Sequence, residues 1–170
     1  MQEQRRLDRV LDAAYLADLV SRPLEEVEAM KTECVELETE ASFVRRLAQA
    51  RMDILDAERE RRASGGSIED LVASLGRILA DPAPRPSPSQ AHLPQLLAPS
   101  PDIAWSRGLE RLVGDSTLVR LPDLTDEELA EVREQLGDLE REVSQVRKSL
   151  HEVLHVLEME LAQRIQAARP

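Results

Sequence analysis

The sequence predicts a mostly helical protein built on an antiparallel two-helix coiled coil, with additional short helices and a Pro-rich flexible linker. Aromatic residues are only 2% of the 170 residues, whereas charged residues are 32%. Such a composition, rich in Leu, Ala, Glu and Arg, favours long helices over β-sheets. In addition, two segments carry apolar residues at alternating steps of three and four, which is the heptad pattern of a coiled coil.

The N-terminal part, residues 1–66, predicts a short helix followed by the first coiled-coil helix. Apolar residues at helical spacing predict the short helix over residues 7–21. Pro23 suits the first turn of the next helix, and Ser21 is a candidate cap for it. We expect this second helix to continue to about Ala63.

The motif SGG, residues 64–66, ends the second helix, because glycine readily adopts the left-handed conformation found after helix termini. Ser67 and Asp70 then have the spacing of a capping box. They open a short amphipathic helix in residues 67–81.

The segment 82–120 predicts a Pro-rich linker and partner-contact segment, since frequent prolines prevent regular structure. A short helix is expected around Trp105. Thr125 and Glu128 form a second capping-box pattern, which opens the second coiled-coil helix within residues 121–170.

Both long helices carry a predicted apolar seam. In the earlier helix it consists of Val27, Met30, Cys34, Leu37, Ala41, Val44, Ala48 and Leu55. In the later helix it consists of Leu129, Val132, Leu136, Leu139, Val143, Val146, Leu150, Val153 and Leu157. The earlier seam is the thinner one, because several of its positions hold Ala, Cys or Met.

A polar stripe recurs on both helices at an offset of 102 residues, without a gap. The first copy is Glu38, Ser42, Arg45, Gln49 and Asp53; the second is Glu140, Ser144, Arg147, His151 and His155. The heptad phase places both stripes on the flank beside the seam. An antiparallel pair brings such flanks together, so we expect one shared groove with an approximate two-fold axis. This geometry suits a two-fold symmetric ligand, or a pair of like molecules.

The residue types in the stripes fit a guanine nucleotide better than an inorganic ion. Arginine offers a planar fork to phosphate or to the O6/N7 edge of guanine. Carboxylates accept from the N1 and N2 groups of guanine, and Ser and Gln complete phosphate, ribose or base contacts. Arg46 and Lys148 also align in the repeat and are candidates for assisting phosphate binding.

The first stripe follows E-x3-S-x2-R-x3-Q-x3-D and resembles the signature of RsiG-type anti-sigma factors of actinobacteria. The surrounding SFVRRLAQARMDILDAE is also similar to that family, and the resemblance covers residues 24–63 and, less fully, 121–167. It implies a coiled coil that binds two molecules of cyclic di-GMP. It further implies that the loaded protein sequesters a sporulation sigma factor of the flagellar type (WhiG). One branch of the family uses a single motif copy in a homodimer, so a homodimer stays open here.

The second copy departs from the signature at His151 and His155, within the sequence HEVLH. HEVLH also matches the H-E-x-x-H pattern of zinc proteases. Such an enzyme needs a third protein ligand and a cleft wall, which a single terminal helix does not supply. We therefore predict a protein that is not an enzyme and binds no metal.

The remaining features narrow the class of protein. The net charge of −11 argues against direct DNA binding. No apolar run long enough to span a membrane occurs, so we expect a cytoplasmic protein without a membrane anchor. The single cysteine, Cys34, is expected in the core, and Glu25, Glu26, Glu28 and Glu58 on the surface.

The alternative function is a structural coiled-coil adaptor or homodimer with no nucleotide ligand. In that case the polar stripes are solvated faces that carry helix-stabilising pairs.

Overall fold

A computed structural model describes residues 2–79 and 120–167. These ranges contain four α-helices: α1 (Gln2–Leu11), α2 (Leu24–Ser64), α3 (Ile68–Leu79) and α4 (Asp126–Ala167). They also contain short 3-10 helices at Ala13–Leu16, Leu19–Ser21 and Leu121–Asp123. No strand occurs in them, which confirms the predicted fold class. The predicted linker and the expected helix around Trp105 lie outside the described residues, apart from residue 120.

The two long helices α2 and α4 pack along each other in antiparallel order. Lys31, near the start of α2, lies 3.2 Å from Glu158, near the end of α4. Arg133, near the start of α4, lies 3.0 Å from Asp56, in the second half of α2. Since numbers rise along one helix as they fall along the other, the predicted antiparallel coiled coil is confirmed.

The predicted seam is the core of the molecule. The positions spaced by seven residues are all buried in both helices: Val27, Cys34, Ala41, Ala48 and Leu55, and Leu129, Leu136, Val143, Leu150 and Leu157. Cys34, one of the small seam residues of α2, is buried, and its Sγ lies 3.5 Å from the backbone carbonyl oxygen of Leu150 in α4. Burial raises the pKa of this thiol to about 12, so it is held as an inert core group.

Truncating this seam should cost much of the stability of the fold. We expect Leu150→Ala to lower the free energy of unfolding by about 2–5 kcal/mol, because Leu150 is fully buried and a cavity would remain. Thermal or urea unfolding, followed by circular dichroism, measures the loss. Val156→Ala on the same helix is the matched control. Its side chain is 41% exposed, and an equal loss there would contradict the assignment of the seam.

The N-terminal segment differs from the helix predicted over residues 7–21. The α-helix already ends at Leu11, and Asp12 adopts an extended conformation, with its Oδ1 accepting from the Ala14 amide at 2.8 Å. Asp18 has a left-handed backbone, with φ of 54°. Side chains of this kind compete with the helix for backbone hydrogen bonds. The chain therefore turns twice and continues as 3-10 helices.

The candidate cap Ser21 is also not confirmed. Its hydroxyl donates to the backbone oxygen of Asp18 at 2.8 Å, and so it stabilises the preceding turn. Pro23 occupies the position before the first helical residue and makes no side-chain cap. Its carbonyl accepts from the amides of Glu26 and Val27, which starts α2 without a polar cap.

The other predicted helix ends are confirmed. Gly65 has a φ of 67° and ends α2, as the SGG motif indicates. In the first capping box, the Ser67 amide donates to Asp70 at 2.9 Å and the Asp70 amide to Ser67 Oγ at 3.3 Å. In the second, the Thr125 amide donates to Glu128 at 2.7 Å and the Glu128 amide to Thr125 Oγ1 at 3.2 Å. These caps fix the starts of α3 and α4.

Candidate functional site

The two polar stripes face each other along one flank of α2 and α4. Arg147 Nε donates to Glu38 Oε1 at 3.0 Å, and Arg45 Nη1 lies 3.6 Å from Glu140 Oε1. Glu38 and Glu140 are 102 residues apart, as are Arg45 and Arg147. The offset therefore exchanges one ion pair with the other, and an approximate two-fold axis passes between them.

The serines follow the same symmetry. Ser42 Oγ donates to Glu38 Oε1 at 2.7 Å, and Ser144 Oγ donates to Glu140 Oε1 at 2.9 Å. Each hydroxyl holds the carboxylate one turn before it on its own helix. Each glutamate is thus oriented by a serine of its own helix and approached by an arginine of the other.

The groove is divided into two halves, and each half draws on both helices. Gln49 Nε2 of α2 donates to Glu140 of α4 at 3.3 Å, whereas His151 Nε2 of α4 lies 3.4 Å from Glu38 of α2. We call the first set the carboxylate half-site: Arg45, Gln49, Asp53, Glu140 and Ser144. We call the second set the histidine half-site: Glu38, Ser42, Arg147, His151 and His155.

The outermost stripe residues, Asp53 and His155, are both exposed at opposite ends of the groove. Asp53 lies close enough to α4 to act on Arg133. The pKa of that guanidinium is raised mainly by its hydrogen bonds to Asp56 and further by the charge of Asp53. Asp53 is therefore an accessible carboxylate near α4.

The candidate phosphate-assisting residues Arg46 and Lys148 are exposed on the outer side of the helices. Each follows a stripe arginine by one residue, which turns it by roughly 100° around the helix. They border the groove but do not belong to its inner rows.

The repeat extends beyond the stripes to a Glu–Arg pair at each end of the coiled coil. Sequence reasoning missed these two pairs. At one end, Arg62 Nε donates to Glu58 at 2.7 Å. Its other nitrogens donate to the backbone oxygens of Leu124 at 2.7 Å and Leu121 at 3.0 Å. We call this arrangement an end clamp.

A second end clamp lies at the opposite end. Arg164 donates to Glu160 at 2.6 Å, to the carbonyl of Arg22 at 2.8 Å and to that of Leu19 at 2.7 Å. Every member lies 102 residues from its counterpart in the first clamp, so the repeat relates residues 19–64 to residues 121–166. Each clamp ties the end of one helix to the 3-10 helix that leads into the other. These contacts are consistent with the register in which the two stripes face each other.

The expectation that Glu58 is a surface charge is wrong. Its side chain is 1% exposed, whereas Glu25, Glu26 and Glu28 are exposed as predicted. The hydrogen bond from Arg61 is the largest cause that lowers the pKa of Glu58, to about 2, and Arg62 adds to it against the effect of burial. The carboxylate is buried as an ion that its two neighbours neutralise.

The histidines of HEVLH lie one turn apart on α4, and no third ligand from the described part of the chain joins them. Within residues 2–79 and 120–167, no group of three or more His, Cys, Asp or Glu side chains could hold a metal ion. None of the helices in these ranges combines the length and apolar character that a membrane crossing requires.

Comparison with known families bears on the first half of this site. A family model described as RsiG-like matches residues 13–79. Residues 13–79 are RsiG-like. The resemblance predicted from the first stripe is thus confirmed, and the match indicates an anti-sigma factor role with a sigma factor as partner. No curated protein matches the chain.

The RsiG-like segment contains α2 and α3 entire, and hence the first stripe and the pair Glu58–Arg62. It lacks α4, which supplies the partner residue of every cross-helix contact in the groove. The segment matched by the family is therefore one half of a site that the fold completes with residues 126–167.

The cross-helix ion pairs of the groove are weak enough for a ligand to replace them. The side chains of Glu38 and Arg147 are 19% and 26% exposed, and those of Glu140 and Arg45 are 20% and 29% exposed. Partly exposed pairs contribute at most about 1 kcal/mol each, because solvent screens them. A phosphate or a guanine edge can therefore take over the arginines without unfolding the coiled coil.

Proposed function

We propose that this protein is a cyclic di-GMP-responsive anti-sigma factor that sequesters a sporulation or flagellar-type sigma factor of the WhiG kind when nucleotide occupies the groove. The observation that carries the proposal is the two-fold relation between the Glu38–Arg147 and Glu140–Arg45 pairs. A ligand with two equivalent halves matches a groove with two related halves.

The chemistry of cyclic di-GMP suits these side chains. Its phosphates and the O6/N7 edges of its guanines are acceptors for the forks of Arg45 and Arg147. The guanine N1 and N2 groups are donors for carboxylates such as Asp53. Arg45 and Arg147 place two guanidinium groups in the groove, and these can exchange their glutamate partners for the phosphates of an anionic ligand. Two nucleotide molecules, one centred on each half-site, would use all ten stripe residues.

The expected mechanism is mutual stabilisation of nucleotide and sigma factor. Each half-site combines residues of α2 and α4, so a bound nucleotide links the two helices and restricts their relative motion. If the sigma factor binds the same arrangement of helices, each ligand raises the affinity of the other by the same factor. In this proposal the protein acts by binding, and a sigma factor partner implies a cytoplasmic location.

The rival function is a structural coiled-coil adaptor, as a monomer or homodimer, without a nucleotide. One observation favours it: Ser42, Arg147 and His151 all contact Oε1 of Glu38, so the stripe residues already serve as partners for one another. In this case the stripes hold the helices together, and the groove has no further role.

Isothermal titration with cyclic di-GMP in the presence of EDTA separates the two functions. We expect micromolar or tighter binding of cyclic di-GMP, no binding of cyclic di-AMP or GTP at the same concentrations, and no effect of EDTA. Adding a flagellar-type sigma factor should tighten nucleotide binding. An absence of nucleotide binding both with and without the sigma factor would favour the adaptor.

A further inference from the structure

We infer that the two halves of the groove are not equivalent: the carboxylate half-site binds a guanine nucleotide first and more tightly, and the histidine half-site binds the second one more weakly. The inference rests on the proposed nucleotide function. It concerns the residues that set the affinity of each half-site. The structure identifies these residues because it shows which side chains of α2 and α4 lie together in each half.

The outer residue of each half-site differs in the number of acceptors that it offers. Guanine presents two neighbouring donors, its N1 and N2 groups. The carboxylate of Asp53 has two oxygens and can accept from both. A neutral imidazole at His155 has one acceptor nitrogen, and a protonated one has none. The exposed Asp53 therefore recognises the guanine edge in a way that His155 does not reproduce.

The middle residue differs in a similar way. The amide of Gln49 uses its nitrogen on Glu140 at 3.3 Å, which leaves its oxygen as an acceptor. His151 Nε2 lies 3.4 Å from both Glu38 Oε1 and Arg147 Nη2. The imidazole is thus engaged by its own half-site on the nitrogen that faces the groove.

The two arginines differ as well, and in the same direction. Arg147 Nε already donates to Glu38 at 3.0 Å. Arg45 lies 3.6 Å from Glu140, and its buried Nε has no hydrogen-bond partner among the described residues. A buried donor without a partner is unfavourable, so an acceptor that reaches Arg45 removes this cost. The carboxylate half-site therefore gains more from a ligand than the histidine half-site does.

The consequence is a titration with two unequal steps. A carboxylate that accepts two hydrogen bonds binds guanine more tightly than a neutral imidazole that accepts one. The usual strength of hydrogen bonds to charged groups makes this difference about 10- to 100-fold in affinity. We expect the two dissociation constants of the wild-type protein to differ by about this factor. A half-loaded protein is then the main species at intermediate nucleotide concentrations.

Exchanging the outer residues tests the inference on the full chain. We expect His155→Asp to tighten the weaker step about 10-fold or more, toward the affinity of the first. We expect Asp53→His to abolish the tight step and leave two weak ones. Glu60→His is the matched control, since Glu60 is an exposed acid of α2 outside the stripe, and its isotherm should match the wild type.

Isothermal titration with cyclic di-GMP, with circular dichroism to verify helicity, gives the readout. If the wild type binds one molecule only, His155→Asp should restore the second. Two wild-type steps of equal affinity, or an isotherm that His155→Asp leaves unchanged, would overturn the inference while leaving the nucleotide function intact. No binding to the wild type and all variants would instead remove the nucleotide function itself.

Discussion

Arg45→Ala is expected to weaken cyclic di-GMP binding by at least about 100-fold while leaving the coiled coil folded. Arg45 supplies the planar fork of the carboxylate half-site, and losing two hydrogen bonds to charged acceptors costs about 3 kcal/mol or more. Its contribution to folding is small, because its ion pair with Glu140 is 3.6 Å long and partly exposed. We therefore expect the free energy of unfolding to change by about 1 kcal/mol or less. Titration calorimetry and thermal unfolding of the same preparation measure both quantities.

Arg59→Ala is the matched control for this experiment. Arg59 is another arginine of α2, half exposed and 4.0 Å from Asp56, and it lies outside both half-sites. Its removal should leave nucleotide affinity unchanged. If Arg45→Ala binds cyclic di-GMP as tightly as Arg59→Ala does, the groove is not the nucleotide site and the adaptor function gains support.

The buried seam follows from the sequence because it depends on periodicity alone, and the shared groove follows once the two helices run antiparallel. A seam at steps of three and four must be buried, and flank positions on the same side of two antiparallel helices must meet. The composition of each half-site needs more than that. It depends on the exact register, which places Gln49 opposite Glu140 and His151 opposite Glu38. Neither motif copy contains that information by itself.

The end clamps show why the sequence repeat seems shorter than the structural one. Arg62 binds the backbone oxygen of Leu124, and Arg164 binds that of Arg22. Any residue offers a backbone oxygen, so the two equivalent positions hold Leu and Arg without a change in the contact. The offset that relates Glu38 to Glu140 nevertheless continues to the clamps. The side chains of the clamp pairs repeat as well, since Glu58 and Arg62 recur as Glu160 and Arg164, whereas only the contacts show the equivalence of Leu124 and Arg22.

Glu58 is a different case. Its position in the heptad indicates burial, but its charge led to the expectation of a surface residue. The residue lies fourteen positions after Val44, at a seam position of the heptad. A glutamate there is compatible with burial only because Arg61 and Arg62 follow within one turn. In the N-terminal segment the apolar residues have helical spacing, and this spacing does not indicate where the helix ends. The side chain of Asp12, which accepts from a backbone amide, and the left-handed backbone of Asp18 interrupt the helix there.

Glu58→Gln should remove a pH-dependent part of the stability. The ordinary pKa of this carboxyl is 4.5, and its contacts with the two arginines lower it to about 2 in the folded protein. A carboxyl whose pKa is lowered on folding stabilises the protein above its unfolded-state pKa, and this contribution is lost as the pH falls toward its folded-state pKa. The difference corresponds to roughly 3 kcal/mol. We expect the variant to be less stable by about this amount at pH 7, because glutamine keeps the shape but turns an amide donor toward the guanidinium groups.

Urea unfolding of both proteins between pH 7 and pH 2 measures this effect. The two curves of unfolding free energy against pH should converge between pH 4.5 and about 2, because the unfolded chain protonates this carboxyl near the first value and the folded protein only near the second. Glu60→Gln on the same helix turn is the control, because that side chain is exposed and its loss should leave the curve near the wild type. Parallel curves for Glu58→Gln would mean that the buried charge does not stabilise the clamp. The first end clamp would then depend on the carbonyl contacts of Arg62 with Leu121 and Leu124.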